Sequence, residues 1–155
     1  MNEKTHSEIR LELARVKYIL AKHSLSIEAF TNLLSEESLE IPISIFKSKS
    51  GPLGALVLYL KSKGLRFSEI ANLLNRDQST IWTTYNKLSK KQFIEEPSIS
   101  VPVEIFANRQ LSIMEALTFY LKTVNNLRLV EIAKLISRSN KTIWCFYSRA
   151  KKKNG

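Results

Sequence analysis

Gln78, Ser79, Thr83 and Asn86 follow one another at helical spacing, and sixty-two positions later Asn140, Lys141, Cys145 and Ser148 occupy the matching places. Near a helix start, the amides of Gln and Asn set a donor beside an acceptor, the pattern that adenine offers in the major groove. Ser, Thr and Lys reach base edges or phosphates. Around the first set stand groups suited to phosphate: Arg66, Arg76, Thr80, Lys87, Lys90 and Lys91. Around the second stand Arg128, Arg138, Thr142, Arg149, Lys151 and Lys152. Covalent or metal chemistry has no such basis. His6, His23 and Cys145 lack partners at ligand or triad spacing, and the carboxylates are scattered, so neither a catalytic set, a metal nor a cofactor is expected.

These residues recur because the chain contains itself twice. IPISIF at 41–46 returns as VPVEIF at 101–106, ALVLYLK at 55–61 as ALTFYLK at 116–122, and residues 65–91 as 127–153, with offsets of 60, 61 and 62. In the last stretch 13 of 27 positions are identical, more than shared helical composition produces. Each copy opens on a β-branched run around Pro42 or Pro102, which reads as extended. A helix follows, beginning near Pro52 in copy one and ending before Gly64 or Asn125-Asn126. A short helix at 67–74 or 129–136 and a longer one at 78–90 or 140–152 complete the copy. The fold expected is all-α: two three-helix units at 41–91 and 101–155, a linker at 92–100, and a helical hairpin at 1–40.

In the hairpin, Ile9, Leu13, Val16 and Leu20 form one apolar stripe, and Ser26 is placed to cap a second helix. The stripe suits packing on copy one. A dimer seam is the alternative, so the chain is either a monomer or a homodimer through these helices. On each longer helix, Ile81, Tyr85 and Leu88, or Ile143, Tyr147 and Ala150, make the core face. Trp82 and Trp144, a repeated aromatic pair, are expected to pack against the helix before them.

The tight segments are Glu69-Ile70-Ala71, Leu74-Asn75-Arg76-Asp77 and Thr80-Ile81, and in copy two Glu131-Ile132-Ala133, Ile136-Ser137-Arg138-Ser139 and Thr142-Ile143. Each resembles the helix-turn-helix of sigma-factor region 4 and related tri-helical regulators, in which E-I-A-x-x-L leads through a turn to a capped helix with T-I near its start. Ala allows the two helices to cross closely, and Asp77 or Ser139 is placed to cap the second. Two departures stand out. The turn residue is Asn75 in copy one but Ser137 in copy two, which adopts positive φ less readily and predicts a different turn there. Arg66 and Arg128 occupy the usual Ser/Thr cap position, where a cation cannot cap but could clamp a phosphate.

Twenty-four Lys+Arg against 14 Asp+Glu give a formal charge of +10. Residues 41–91 and 101–155 carry +7 each, whereas 1–40 and 92–100 carry −2 each. Such a distribution suits a polyanion. With one cysteine, no disulfide within the chain can form, and no apolar run approaches the roughly 20 residues of a membrane span. The expectation is an unprocessed cytoplasmic, nucleoid-associated protein that does not use membranes. The resemblance implies sequence-specific binding of double-stranded DNA, with transcription regulation as the role. A nine-residue joint, extended, spans up to roughly 30 Å, close to the roughly 34 Å between successive major-groove faces, so one chain would reach two adjacent half-sites. Two other readings stay open: an adaptor, for instance on RNA polymerase, and the DNA-reading partner of a recombinase or transposase. RNA is disfavoured because no single-strand platform is visible.

Overall fold

The computed structural model describes residues 3–37, 39–88 and 95–154. It is all-α, with eight α-helices among the described residues and a single two-stranded ribbon. Residues 1–38 and 39–155 form two separate compact units.

The first unit holds α1 (Glu3–Lys22) and α2 (Ile27–Glu37), joined through a turn with Ser24 at φ 52°. Ser26 caps α2 as its position predicted, its Oγ accepting from the Ala29 N–H at 3.0 Å. Of the expected stripe, Val16 and Leu20 are half-buried, while Ile9 and Leu13 are exposed, as are Leu11, Tyr18 and Ile19.

The second unit is built twice over. β1 (Glu40–Pro42), a 3-10 helix (Ile43–Lys47), α3 (Pro52–Ser62), α4 (Phe67–Leu73) and α5 (Gln78–Leu88) form copy one. Copy two repeats the order with β2 (Ser100–Pro102), a 3-10 helix (Val103–Ala107), α6 (Ile113–Thr123), α7 (Leu129–Leu135) and α8 (Asn140–Asn154). α4, α5, α7 and α8 start where the sequence places them, and Pro52 opens α3 where its missing N–H has no cost.

Both copies share one hydrophobic core. α3 is buried on every side from Gly54 to Leu60, as a helix apolar all round must be, and it lies against α4, α5 and α6. α6 is buried from Ile113 to Thr118 and again at Leu121, and it lies against α7, α8 and α3. Between them, β1 and β2 pair antiparallel, and Phe46 meets Phe106 with ring centroids 5.7 Å apart. Ile41, Ile43, Val101 and Val103 are fully buried beneath the ribbon.

That ribbon changes the meaning of the joint. Residues 92–94 lie outside the described residues, but 95–100 form no free spacer. Ser44 Oγ donates to the Glu96 carbonyl and accepts its N–H, both at 3.2 Å, and the Ser44 N–H donates to Ser98 Oγ at 3.3 Å. Glu96 pairs with Lys47 at 2.9 Å and Glu95 with Lys63 at 3.4 Å. The two acidic residues thus hold the joint on copy one, and Ser100 enters the ribbon.

The copies solve the crossing of their first and last helices in opposite ways. At Gly54 a Cβ would run into Leu88 Cδ1. The matching residues in copy two are Glu115 and Ala150, large facing small where copy one has small facing large. Glu115 is 4% exposed and caps its own helix: its Oε2 accepts the Ser112 N–H at 3.0 Å while Ser112 Oγ accepts the Glu115 N–H at 3.2 Å. Lys153, on the last turn of α8, donates to the same Oε2 at 2.7 Å.

Burial pushes the Glu115 carboxyl up, but the Lys153 ammonium and the Ser112 N–H outweigh it, so the group titrates below the usual carboxylate range. Its contribution to stability is therefore complete above the unfolded value of about 4.3 and is lost as the pH falls through the lower folded value. Glu115→Gln is expected to lower the melting temperature at pH 7 and to lessen its fall between about pH 5 and pH 3. Thermal melts across that range check it, and an unchanged acid limb would show that Glu115 is not the group responsible.

Candidate nucleic-acid interface

In each copy a short helix, a tight turn and a longer helix form the outer face. The turn is the same in both. Asn75 has φ 50° and Ser137 φ 52°, so the different turn expected from Ser137 does not occur. The bonding pattern imposes this geometry: the Arg76 N–H donates to the Ala71 carbonyl and the Arg138 N–H to the Ala133 carbonyl, each at 2.9 Å, closing α4 and α7 alike. Ser adopts a left-handed backbone at the cost of roughly 1–2 kcal/mol, a cost within reach of the surrounding packing. Ile70, Leu74 and Ile81 are fully buried around the first turn, and Ile132, Ile136 and Ile143 around the second.

In copy two the longer helix begins with the expected side-chain cap. Ser139 Oγ accepts the Thr142 N–H at 3.2 Å and lies 2.7 Å from the Thr142 hydroxyl, which fastens Thr142 to its own helix. In copy one, the Asp77 carbonyl accepts the Thr80 N–H at 3.0 Å. From there the faces divide as the periodicity predicts. Ile81 and Ile143 are fully buried, with Tyr85 and Tyr147 half-buried beside them. Tyr85 packs edge-on to Phe67 at 5.4 Å, and Tyr147 stacks on Phe119 at 6.2 Å.

On the outer face, Gln78, Ser79, Thr83 and Asn86 are positioned by α5 and all four are exposed, as are Asn140 and Lys141 on α8. Cys145 and Ser148 are half-buried, which leaves the lower half of the second face less open than its start. Thr83 Oγ1 donates to the Ser79 carbonyl at 2.8 Å, so toward a ligand its hydroxyl can only accept, while its methyl stays free for apolar contact.

Trp82 and Trp144 are 55% and 57% exposed, so the expected packing against the preceding helix is not what they do. Each follows a core isoleucine by one residue, about 100° around the helix, and Tyr85 or Tyr147 already fills the aromatic place on the core face. The tryptophans lie one turn after Gln78 and Asn140 and belong with them. They are residues that sequence reasoning leaves off the site.

Arg66 and Arg128 stand at the start of the shorter helices with side chains 80% and 79% exposed. They do not cap, having no acceptor, but the end is not bare. Glu69 Oε2 accepts the Arg66 N–H at 2.7 Å and its Oε1 the guanidinium at 3.3 Å; Glu131 treats Arg128 in the same way at 2.7 and 3.1 Å. First the backbone N–H and then the guanidinium hold both carboxyls below their usual range. The carboxylate therefore offsets the unfavourable cation at the helix start, and each guanidinium keeps donors for a second anion.

Of the other cations, Lys87, Arg149, Lys151 and Lys152 lie on the longer helices and Arg138 in the turn between α7 and α8, and Thr80 is exposed, whereas Thr142 is half-buried. Lys90 and Lys91 lie outside the described residues. Arg76 differs from its counterpart. It is half-buried, its Nε is without a hydrogen-bond partner, and it lines a polar cleft with Asn72, Asn75, Asp77 and Arg109 of copy two. Burial first and Arg109 second lower its pKa, the mark of a cation with too little compensating charge. Arg109 is a further residue to which the sequence does not point, since only the meeting of the two copies brings it there.

Among the described residues, no three of His, Cys, Asp and Glu gather where a metal could be held, and no helix is long and apolar enough to cross a membrane. No protein-family model, curated protein or solved structure matches this chain.

Proposed function

We propose that this protein binds double-stranded DNA in a sequence-specific manner through α5 and α8, as a transcription regulator. One observation carries the reading: both copies of the short helix, tight turn and longer helix leave the start of the longer helix uncovered on the same face, with an amide near the helix start and a tryptophan one turn on. A buried or randomly polar surface has no reason to repeat this way. Lys87 and the Arg149–Lys152 end lie on the same helices, and Arg66 and Arg128 at the starts of their partners supply phosphate contacts with donors to spare. The resemblance to sigma-factor region 4 agrees with this docking, in which the longer helix enters the major groove.

The exposed tryptophans also favour a second reading, an adaptor on another protein, because aromatic anchors dominate protein interfaces. Salt separates the two. Binding of the full chain to duplex DNA should weaken steeply as salt rises, and Arg66→Ala with Arg128→Ala should weaken binding to every sequence alike and reduce the slope of log K against log salt by about 2, since each arginine neutralises one phosphate. Anisotropy titrations at several salt concentrations measure both. Affinity indifferent to salt, or a slope the double variant leaves unchanged, argues against phosphate docking by these arginines.

A further inference from the structure

Resting on the DNA-binding reading, we infer that the target is a two-armed element whose arms are inverted with respect to one another and differ in sequence, bound by one chain as a symmetric dimer binds a palindrome. The inference comes from how the copies are joined.

In the ribbon, Ile41 faces Val101, Glu40 faces Pro102 and Pro42 faces Ser100. The copies are offset by 60 in this stretch, so Ile41 and Val101 are the same residue of the repeat. Exchanging the copies returns that pair to itself and swaps the other two. The flanking bonds swap likewise: the Ile43 N–H donates to the Ile99 carbonyl at 3.0 Å and the Val103 N–H to the Leu39 carbonyl at 2.9 Å. Phe46 and Phe106, again sixty apart, meet each other. Copies related by translation along the chain would set unlike positions face to face. A local two-fold axis is the relation that brings equivalent residues together at both places.

From the ribbon outward the copies have the same elements in the same order, and the helices before the readers have equal lengths: 11 residues in α3 and α6, 7 in α4 and α7. α3 and α6 also touch across the axis. On that basis the two-fold relation is extended to α5 and α8, although the connections before α6 and α7 are each one residue longer than in copy one. Duplex DNA has two-fold axes perpendicular to its own axis, so readers related by a dyad meet the two strands with the same polarity and require inverted arms. Gln78 and Asn140 can both pair with adenine, but the letters differ at Ser79/Lys141, Thr83/Cys145 and Asn86/Ser148, so the arms are expected to differ. Because the joint is docked and the core shared, the distance between arms is fixed.

Selection from a randomised duplex pool with the full chain, followed by anisotropy on the recovered element, tests this. The expected element has two unlike arms in opposite orientation. Reversing one arm to make a direct repeat, or inserting 5 bp between arms, which turns one through about half of the roughly 10-bp helical repeat, should weaken binding at least tenfold, since simultaneous engagement contributes about 10²–10⁴. Gln78→Ala should relax preference in one arm and Asn140→Ala in the other. A direct repeat, a single arm, or indifference to reversal and insertion overturns the inverted arrangement while leaving DNA binding in place. Recovery of no sequence, with no duplex affinity even at low salt, overturns the binding reading itself.

Discussion

Replacing Trp82 and Trp144 together by alanine is expected to weaken binding to the selected DNA by about a hundredfold or more, about 2.7 kcal/mol, while lowering the melting temperature by only a few degrees. Each ring presents more than half its surface to solvent in the free chain. Covering roughly 100 Å² of such surface is worth about 2.5 kcal/mol at the usual coefficient, part of which is offset by the ordering of the interface. The loss to folding is small for the same reason, since surface substitutions generally stay within about 0.5 kcal/mol. Had the rings packed on the preceding helix, the two effects would reverse: a large drop in melting temperature and little change in affinity beyond it. Anisotropy and thermal melts on the same double variant separate the cases. If duplex affinity is kept and the fold is intact, the tryptophans serve another partner and the adaptor reading gains.

The tryptophans also show where sequence reasoning reaches and where it stops. The duplication, the order of helices and the core face are legible because each is a local property. Ile81, Tyr85 and their counterparts repeat at i and i+4, and Asn75 after Leu74 marks a helix end without help from elsewhere. Trp82 misleads because a repeated aromatic suggests packing, although its position between Ile81 and Tyr85 already turns it away from the core. Ser137 misleads for the opposite reason. Its intrinsic preference argues against a left-handed turn, but the packing of Ile132, Ile136 and Ile143 imposes one.

What the sequence does not carry is the relation between the copies. Strands of three residues show no alternation, and the runs around Pro42 and Pro102 read as extended without any sign that they pair with each other. The acidic joint looks like a spacer because Glu95 and Glu96 resemble a solvated run, until Lys47, Lys63 and the buried Ser44 are seen to meet them. Arg109 is in the same position: its nearness to Arg76 exists only once the copies share a core.

The shared core makes the second large prediction. Phe46 and Phe106 are each 2% exposed and face one another where the copies meet. Truncating either to alanine removes a large buried side chain, and is expected to cost about 3–5 kcal/mol. For residues 39–155 that is a drop of roughly 10 °C or more in the melting temperature. The two copies form one compact unit, so the loss should be felt by both, as a single cooperative transition moved to lower temperature rather than early melting of one copy. Phe46→Leu, which keeps most of the volume, should recover most of the stability. Near-UV circular dichroism and calorimetry on the same samples check this, the dichroism following tertiary packing around the tyrosines and tryptophans of both copies. Two separated transitions in Phe46→Ala would mean that the copies fold independently. The spacing inferred between the proposed reading helices α5 and α8 would then have to come from the joint alone. A single shifted transition ties the rigidity of the proposed reading surface to Phe46 and Phe106, where the copies meet.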